Sequence, residues 1–546
     1  MAKYVIGIDF GTLSGRCLLV DVNTGAAVGE SVMDYPHAVI DESLPSGKKL
    51  PPSFALQHPE DYLEVLRATV PDVLSKSGVG AEDVVGLGID FTACTVLPID
   101  ANGVPLCMHE AFLDEPHAYV KLWKHHAAQP EADEINALAA KRGEDWLSIY
   151  GGKVSCEWAL PKILQTLRKA PEVYHSTHRF IEAGDWLSWM LTGEETHSAP
   201  FAGYKGLWNA ETGYPSNAFM KALDSRLDGI VGTKLSERVL GVDKIAGYIH
   251  EGGAALTGLR VGTPVSLPMI DAHAAMPALN ITDDGDLMLI VGTSACHILN
   301  SKEGKSVEGI CGYVKDGVIP GLYTYEAGQA GVGDIFDWFV KSCVPARYTE
   351  EALERGIGIH KLLREKASRL RVGESRLLAL DWWNGNRSVL VNSNLSGMIL
   401  GMTLGTKPEE IYRALIEATA YGLKVIVEQY EKSGIGINSI CAAGGIAQKD
   451  EMMMQIYADV LGREIRIAGS TQAGALGSAI YASVAAGVYT DVKTAASRLS
   501  MPDAKTYQPI PENARAYEIL YREYKKLHDY FGKENPVMET LRGEIS

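Results

Sequence analysis

Two apolar runs in this chain share one pattern: a hydrophobic strand, a Gly-Thr turn, then a second hydrophobic strand. The first reads Val5-Ile6-Gly7-Ile8-Asp9-Phe10-Gly11-Thr12 and resumes at Gly15-Arg16-Cys17-Leu18-Leu19-Val20-Asp21. The second reads Leu287-Met288-Leu289-Ile290-Val291-Gly292-Thr293-Ser294 and resumes at Cys296-His297-Ile298-Leu299-Asn300. Each run predicts a hairpin, and their recurrence predicts a duplicated domain. After the first come a Pro/Ser/Gly/Lys-rich loop over 41–53, a helix over 59–75 with apolar residues at helical spacing, and the strand Val84-Val85-Gly86-Leu87-Gly88-Ile89-Asp90. A continuous apolar run fed by a helix marks a buried parallel strand. Residues 115–207 read as a helical, tryptophan-rich insertion. The second half predicts a long helix over 408–433, strand 439–443, helix 449–461, strand 464–468 and a small-residue helix over 472–487. Beyond residue 491 the chain is charged and aromatic, with a helix over 511–531 expected to pack on the surface. The reading is two α/β domains with a cleft between them.

Length and composition agree. At 546 residues the chain exceeds what one core supports. Its 56 glycines are scattered among apolar runs, as strand-to-turn junctions require. A formal net charge of −17 argues against nucleic acid or an anionic membrane as partner. No apolar run is long enough to span a bilayer, and no signal-peptide pattern precedes the first strand. The eight cysteines never form C-x-x-C, which predicts buried free thiols in a reducing, cytoplasmic setting. The sequence admits a homodimer without specifying one.

The chemistry follows from the turns. Glycine lets backbone approach a phosphate closely, and successive amides in a tight turn cradle anions. The two Gly-Thr turns thus predict a nucleotide between the halves. Asp9, at a strand end beside the first turn, is a candidate Mg²⁺ partner, because a carboxylate beside a phosphate needs a cation between them. Gly304-Lys305-Ser306 ends like a P-loop but lacks its first glycine, and no complete G-x-G-x-x-G, H-E-x-x-H or G-x-S-x-G occurs. Asp271 follows an apolar run at the junction of the halves. It reads either as a helix N-cap or as a general base for phosphoryl transfer to an alcohol; neighbouring His273 reads as structural. Gly444-Gly445 closes a strand before a helix, either as a simple turn or where an adenine slides against bare backbone. Lys205 and Glu326 are charged residues in aromatic and glycine-rich surroundings, as in sugar sites or on solvated surfaces.

The chain resembles the FGGY carbohydrate kinases, within the actin-like (ribonuclease H-like) ATPase fold. The resemblance rests on Gly7-Ile8-Asp9-Phe10-Gly11-Thr12-Leu13-Ser14-Gly15-Arg16, Gly88-Ile89-Asp90-Phe91-Thr92-Ala93-Cys94-Thr95, Tyr150-Gly151-Gly152-Lys153-Val154-Ser155 and Tyr325-Glu326-Ala327-Gly328-Gln329. It implies an N-terminal sugar-binding domain over 1–279 with a helical insertion, a nucleotide-binding domain over 280–490, and a helical appendage over 491–546. It implies ATP phosphates at Gly11-Thr12 and Gly292-Thr293, adenosine near Gly444-Gly445, and Asp271 as catalytic base. Ketopentose contacts fall to the Ala93 backbone, Lys205, Asp271 and Glu326. The implied reaction is ATP- and Mg²⁺-dependent phosphorylation of L-ribulose at C5 in L-arabinose breakdown. Rival readings are a kinase for another ketopentose or pentitol (D-ribulose, xylulose, ribitol), and an actin-like, ATP-gated chaperone or filament subunit.

Overall fold

The computed structural model describes residues 3–469 and 472–543. Its frame is two seven-stranded sheets. In the first, strand Tyr4–Phe10 pairs antiparallel with Ser14–Asp21, which pairs in turn with Ala27–Asp34. On its other side Tyr4–Phe10 runs parallel to Val84–Phe91. The second sheet repeats this plan: Asp286–Val291 pairs antiparallel with Ala295–Ser301 and parallel with Ser439–Ala443. The hairpin–helix–parallel-strand order expected in both halves is therefore present, with helices Pro59–Ser77 and Pro408–Lys432 as the crossovers.

Two helices tie the sheets together. Helix Ala473–Ala485, from the end of the second half, lies against the first sheet at glycines: an added Cβ would fall 1.8 Å from the Ala475 carbonyl at Gly7 and 2.1 Å from the Ser478 carbonyl at Gly88. Helix Asp271–Ala278, from the end of the first half, shares a buried cluster with Met288, Ile298 and Cys441 of the second sheet. The two helices touch at Gly477, where a Cβ would lie 1.7 Å from the Ala274 carbonyl. Here glycine spacing is packing chemistry, and Asp271 sits at the seam. Overpacking a close backbone contact costs about 1–3 kcal/mol or more. Gly477→Ala is accordingly expected to lower the melting temperature measurably. Gly436→Ala, where a Cβ meets nothing within 4 Å, should leave it unchanged.

Three local expectations need correction. The insertion is not wholly helical: its strands Val120–Lys121 and Arg179–Glu182 join two earlier strands in a four-stranded sheet ordered Leu56–Gln57, Val120–Lys121, Val96–Ile99, Arg179–Glu182. Its strands are too short for a period-2 pattern to register. The helix expected from residue 449 breaks at Asp450, whose side chain accepts from the Met453 amide (3.0 Å) and starts a new helix, Glu451–Leu461. The segment after residue 491 is no surface appendage. Strand Asp503–Tyr507 extends the second sheet antiparallel to Ile465–Ala468. Helix Pro511–Asp529 buries Tyr517, Tyr521 and Tyr524, whose i, i+4, i+7 spacing is one helix face. Their hydroxyls donate to Glu417 (2.9 Å), Glu428 (2.6 Å) and Asp381 (2.9 Å). Amphipathic tyrosines can enter a core if each hydroxyl finds an acceptor, so a charged composition concealed a core helix.

Candidate active site

The first turn is held from three sides. Tyr35 donates to the Gly11 carbonyl (2.9 Å), Gln57 to the Thr12 carbonyl (2.8 Å) and the Trp123 indole to Thr12 Oγ1 (3.1 Å). The Gly11 amide bonds Ser14 O at 3.0 Å, and the Gly292 amide likewise bonds Ser294 O at 2.9 Å. Both glycines thus spend their own N–H closing the turn, which leaves the amides of the following residues to face an anion. Around the second turn further glycines converge. The Gly333 amide donates to Gly292 O (3.0 Å), opening helix Gly333–Cys343. Gly444, at φ +98°, lies so close to Val291 that a Cβ would stand 2.5 Å from its carbonyl. A Cβ at Gly445 would meet nothing within 4 Å, so open space adjoins bare backbone there.

Asp9 does not stand alone, as its sequence position suggested. The string Gly-Ile-Asp-Phe occurs at 7–10 and again at 88–91. The two copies lie in register on parallel strands, Asp9 beside Asp90 and Phe10 beside Phe91, the rings stacked at 5.1 Å. Asp90 is fully buried; its Oδ2 accepts from Ser478 (2.7 Å), and Oδ1 has no hydrogen-bond partner among the described residues. Burial raises Asp9 against the opposing pull of Asp90 and Arg16, and burial together with Asp9 holds Asp90 well above the usual carboxylate range. Gly474, near the start of the seam helix, is the gap that admits both carboxyls: a Cβ there would lie 3.2 Å from Asp9 Oδ2 and 3.4 Å from Asp90 Oδ1. Two hard-oxygen groups, one with an unpartnered atom, fit a divalent cation such as Mg²⁺. Asp90 was missed in the sequence, although the repeated tetrapeptide was its signal.

Asp271 is the first helical residue, with Ile270 as N-cap, so the simple capping role does not apply. Its Oδ1 accepts from the adjacent Ala272 amide at 2.6 Å. Burial, then the Asp9 charge, with Glu326 adding, push its carboxyl up to about 7 against that bond.

Lys205 and Glu326, distant in sequence and from opposite halves, meet at 2.7 Å between Nζ and Oε1, both largely buried. Burial alone would neutralise each. Instead Glu326 holds Lys205 above the ordinary ammonium value, and Lys205 with His273 holds Glu326 well below the carboxylate range. Lys205 Nζ also lies 5.5 Å over the Trp158 ring. His273 is wholly buried, and its Nε2 is 3.4 Å from the second oxygen of Glu326. Ala93 lies on the neighbouring loop, where Cys94 adopts φ +59° and its carbonyl accepts from buried Lys162 at 2.5 Å. Lys205 and Cys94 are near enough to bias each other's charge. The structure therefore brings Lys205 to Glu326, sets Cys94, next to Ala93, within electrostatic reach of Lys205, and sets Asp271 within reach of both Glu326 and Asp9.

Known proteins resemble this chain over nearly its whole length. Residues 4–277 match the N-terminal domain of the FGGY family of carbohydrate kinases, and residues 287–486 match its C-terminal domain. The chain is 51% identical over 546 residues to a protein named ribulokinase from Geobacillus thermodenitrificans, covering 99% of this chain and 97% of that one. It is 50% identical to a ribulokinase from Bacillus licheniformis, covering 97% of each. Among solved structures, xylulose kinase from Rhodospirillum rubrum superposes with a TM-score of 0.83 at 23% identity, covering 98% of this chain and 100% of that one. Glycerol kinase from Plasmodium falciparum, solved with ADP, gives 0.75 at 17% identity, covering 96% and 98%. At such identities the last two establish the shared fold. Among the described residues no helix is long and apolar enough to cross a membrane.

Proposed function

This chain belongs to the FGGY family of carbohydrate kinases, and from that premise we propose that it transfers the γ-phosphoryl group of ATP to the C5 hydroxyl of L-ribulose. The observation that carries the reading is the Lys205–Glu326 pair, closed across the two halves at 2.7 Å beside Asp271. A fully charged, nearly dry donor–acceptor pair is suited to hydroxyls and a carbonyl, and ill suited to a peptide or a polymer face. Lys205 donates and Glu326 accepts, while the Trp158 ring forms an apolar wall. The ribulokinase names of full-length relatives at about half identity point to L-ribulose.

Asp271 takes the hydroxyl proton as the sugar oxygen attacks phosphorus. Raised to about 7, it is a stronger base than an ordinary carboxylate, and a general base works best with a pKa near the working pH. The turns at Gly11-Thr12 and Gly292-Thr293 hold the phosphates, and Gly444-Gly445 leaves room for the adenosine. Asp9 and Asp90 would hold Mg²⁺, which when bound offsets phosphate charge. Asp9→Asn is expected to shift the Mg²⁺ titration of activity to higher concentration, with part of the lost rate recovered by excess metal. A lower rate on an unchanged titration curve would contradict the metal role.

The reading is tested by ADP release from ATP against a panel of ketopentoses and pentitols. L-ribulose should give the highest kcat/KM, with little ADP formed when sugar is omitted. ADP release independent of any sugar, or stimulated by unfolded peptide, would overturn it.

A further inference from the structure

We propose that Arg387 binds the phosphoryl group during transfer and holds it once it is on the sugar; this rests on the sugar-kinase reading above. Strand Tyr323–Gln329 runs from Glu326 toward the Gly292-Thr293 turn, because Ile298 pairs with Glu326 and Ala295, just past the turn, pairs with Gln329. Residues two apart on a strand face the same side, about 7 Å from one another. Gly328 therefore leaves bare backbone on the same face as Glu326, one step nearer the turn. Arg387 occupies that ground: a Cβ at Gly328 would stand 3.4 Å from both its Cδ and its Nη1. It lies on the route between the hydroxyl-binding pair and the phosphate turn.

Its surroundings leave the charge uncommitted. Among the described residues its guanidinium makes no hydrogen bond and no ion pair, although Glu157 of the insertion and Glu326 are within electrostatic reach. The side chain is open to solvent, while the loop beneath it is pinned. Asn386 and Asn392 exchange backbone bonds of 2.9 and 2.8 Å, Asn386 Oδ1 accepts from the Leu390 amide (2.9 Å), and Ser388 Oγ accepts from the Gly328 amide (3.3 Å). A solvated surface arginine needs neither a glycine seat nor a pinned loop. A positioned fork of donors matches phosphate oxygens in pairs.

In the transfer, the sugar oxygen bonds to the γ-phosphorus as the bond to the β–γ bridging oxygen breaks. That electron pair leaves with ADP, and the hydroxyl proton passes to Asp271. Charge on the moving group then sits between the turn and Glu326, where Arg387 stands. Preorganised donors at such a point are worth about 10²–10³ in turnover.

Arg387→Met is expected to lower kcat by about that factor. Calorimetry should show L-ribulose 5-phosphate binding weakened more than about tenfold and L-ribulose itself by less than about threefold, with Arg387→Lys keeping part of the affinity for the phosphate. A purely structural role would not separate a sugar from its phosphate in this way. Unchanged binding of the sugar phosphate, or equal weakening of both ligands, would overturn the proposal. If the wild-type protein phosphorylates no ketopentose, the sugar-kinase reading and this proposal fall together. If it does and the variants retain product affinity, this proposal alone falls.

Discussion

Asp271→Asn is expected to reduce kcat by about 10²–10⁴, since it removes the proton acceptor while keeping size and shape. Asparagine's side-chain oxygen can still accept the Ala272 amide, so the helix start and the seam around it should survive. ATP affinity, measured by calorimetry without sugar, should stay close to wild type. The pH dependence has a definite sign. Burial and the Asp9 charge raise Asp271 to about 7, and only the ionised form accepts a proton. The wild-type kcat/KM for sugar should therefore climb as pH rises through about 7 and fall on the acid side. The residual activity of the Asn variant should lack that limb. Near-wild-type turnover in the variant, or an acid limb that persists in it, would remove Asp271 from the mechanism.

Breaking the Lys205–Glu326 pair should have the second-largest effect, and it should fall on the sugar alone. Each charge forms hydrogen bonds worth about 1.5–3 kcal/mol, so Lys205→Met or Glu326→Gln is expected to lower kcat/KM for sugar by about ten- to a hundred-fold. Removing both charges should cost less than the sum of the single losses, because each single variant leaves a largely buried charge without its partner. ATP binding without sugar should not change. Equal loss of ATP and sugar affinity would mean that the pair maintains the fold of the cleft and does not read the substrate.

The frame of the molecule was legible because it rests on local chemistry. The Gly-Thr turns after apolar runs, the crossover helices and the strand at 439–443 announce themselves by period and by punctuation. Asp9 and Asp271 stood out by a strand end and a domain junction, and Lys205 and Glu326 by aromatic and glycine-rich surroundings together with the family resemblance. What escaped depends on pairing across distance. Asp90 lies on a strand read as purely buried, and only its register against Asp9 turns it into part of a site. His273 reads as a core residue until the fold brings Glu326 to it. The helix of Tyr517, Tyr521 and Tyr524 looked like surface because its acceptors, Glu417, Glu428 and Asp381, come from elsewhere in the chain. Glycines on the seam, such as Gly7, Gly88 and Gly477, gave no hint of which backbone would press against them.

The central claim is tested most directly by the identity of the product. Incubating the protein with ATP, Mg²⁺ and L-ribulose and following the mixture by phosphorus-31 NMR should show one new phosphomonoester, coupled to the C5 protons and formed in step with ADP. Inorganic phosphate appearing with ADP while the sugar remains unmodified would contradict the account, since the cleft would then be hydrolysing ATP rather than delivering its phosphoryl group to a hydroxyl.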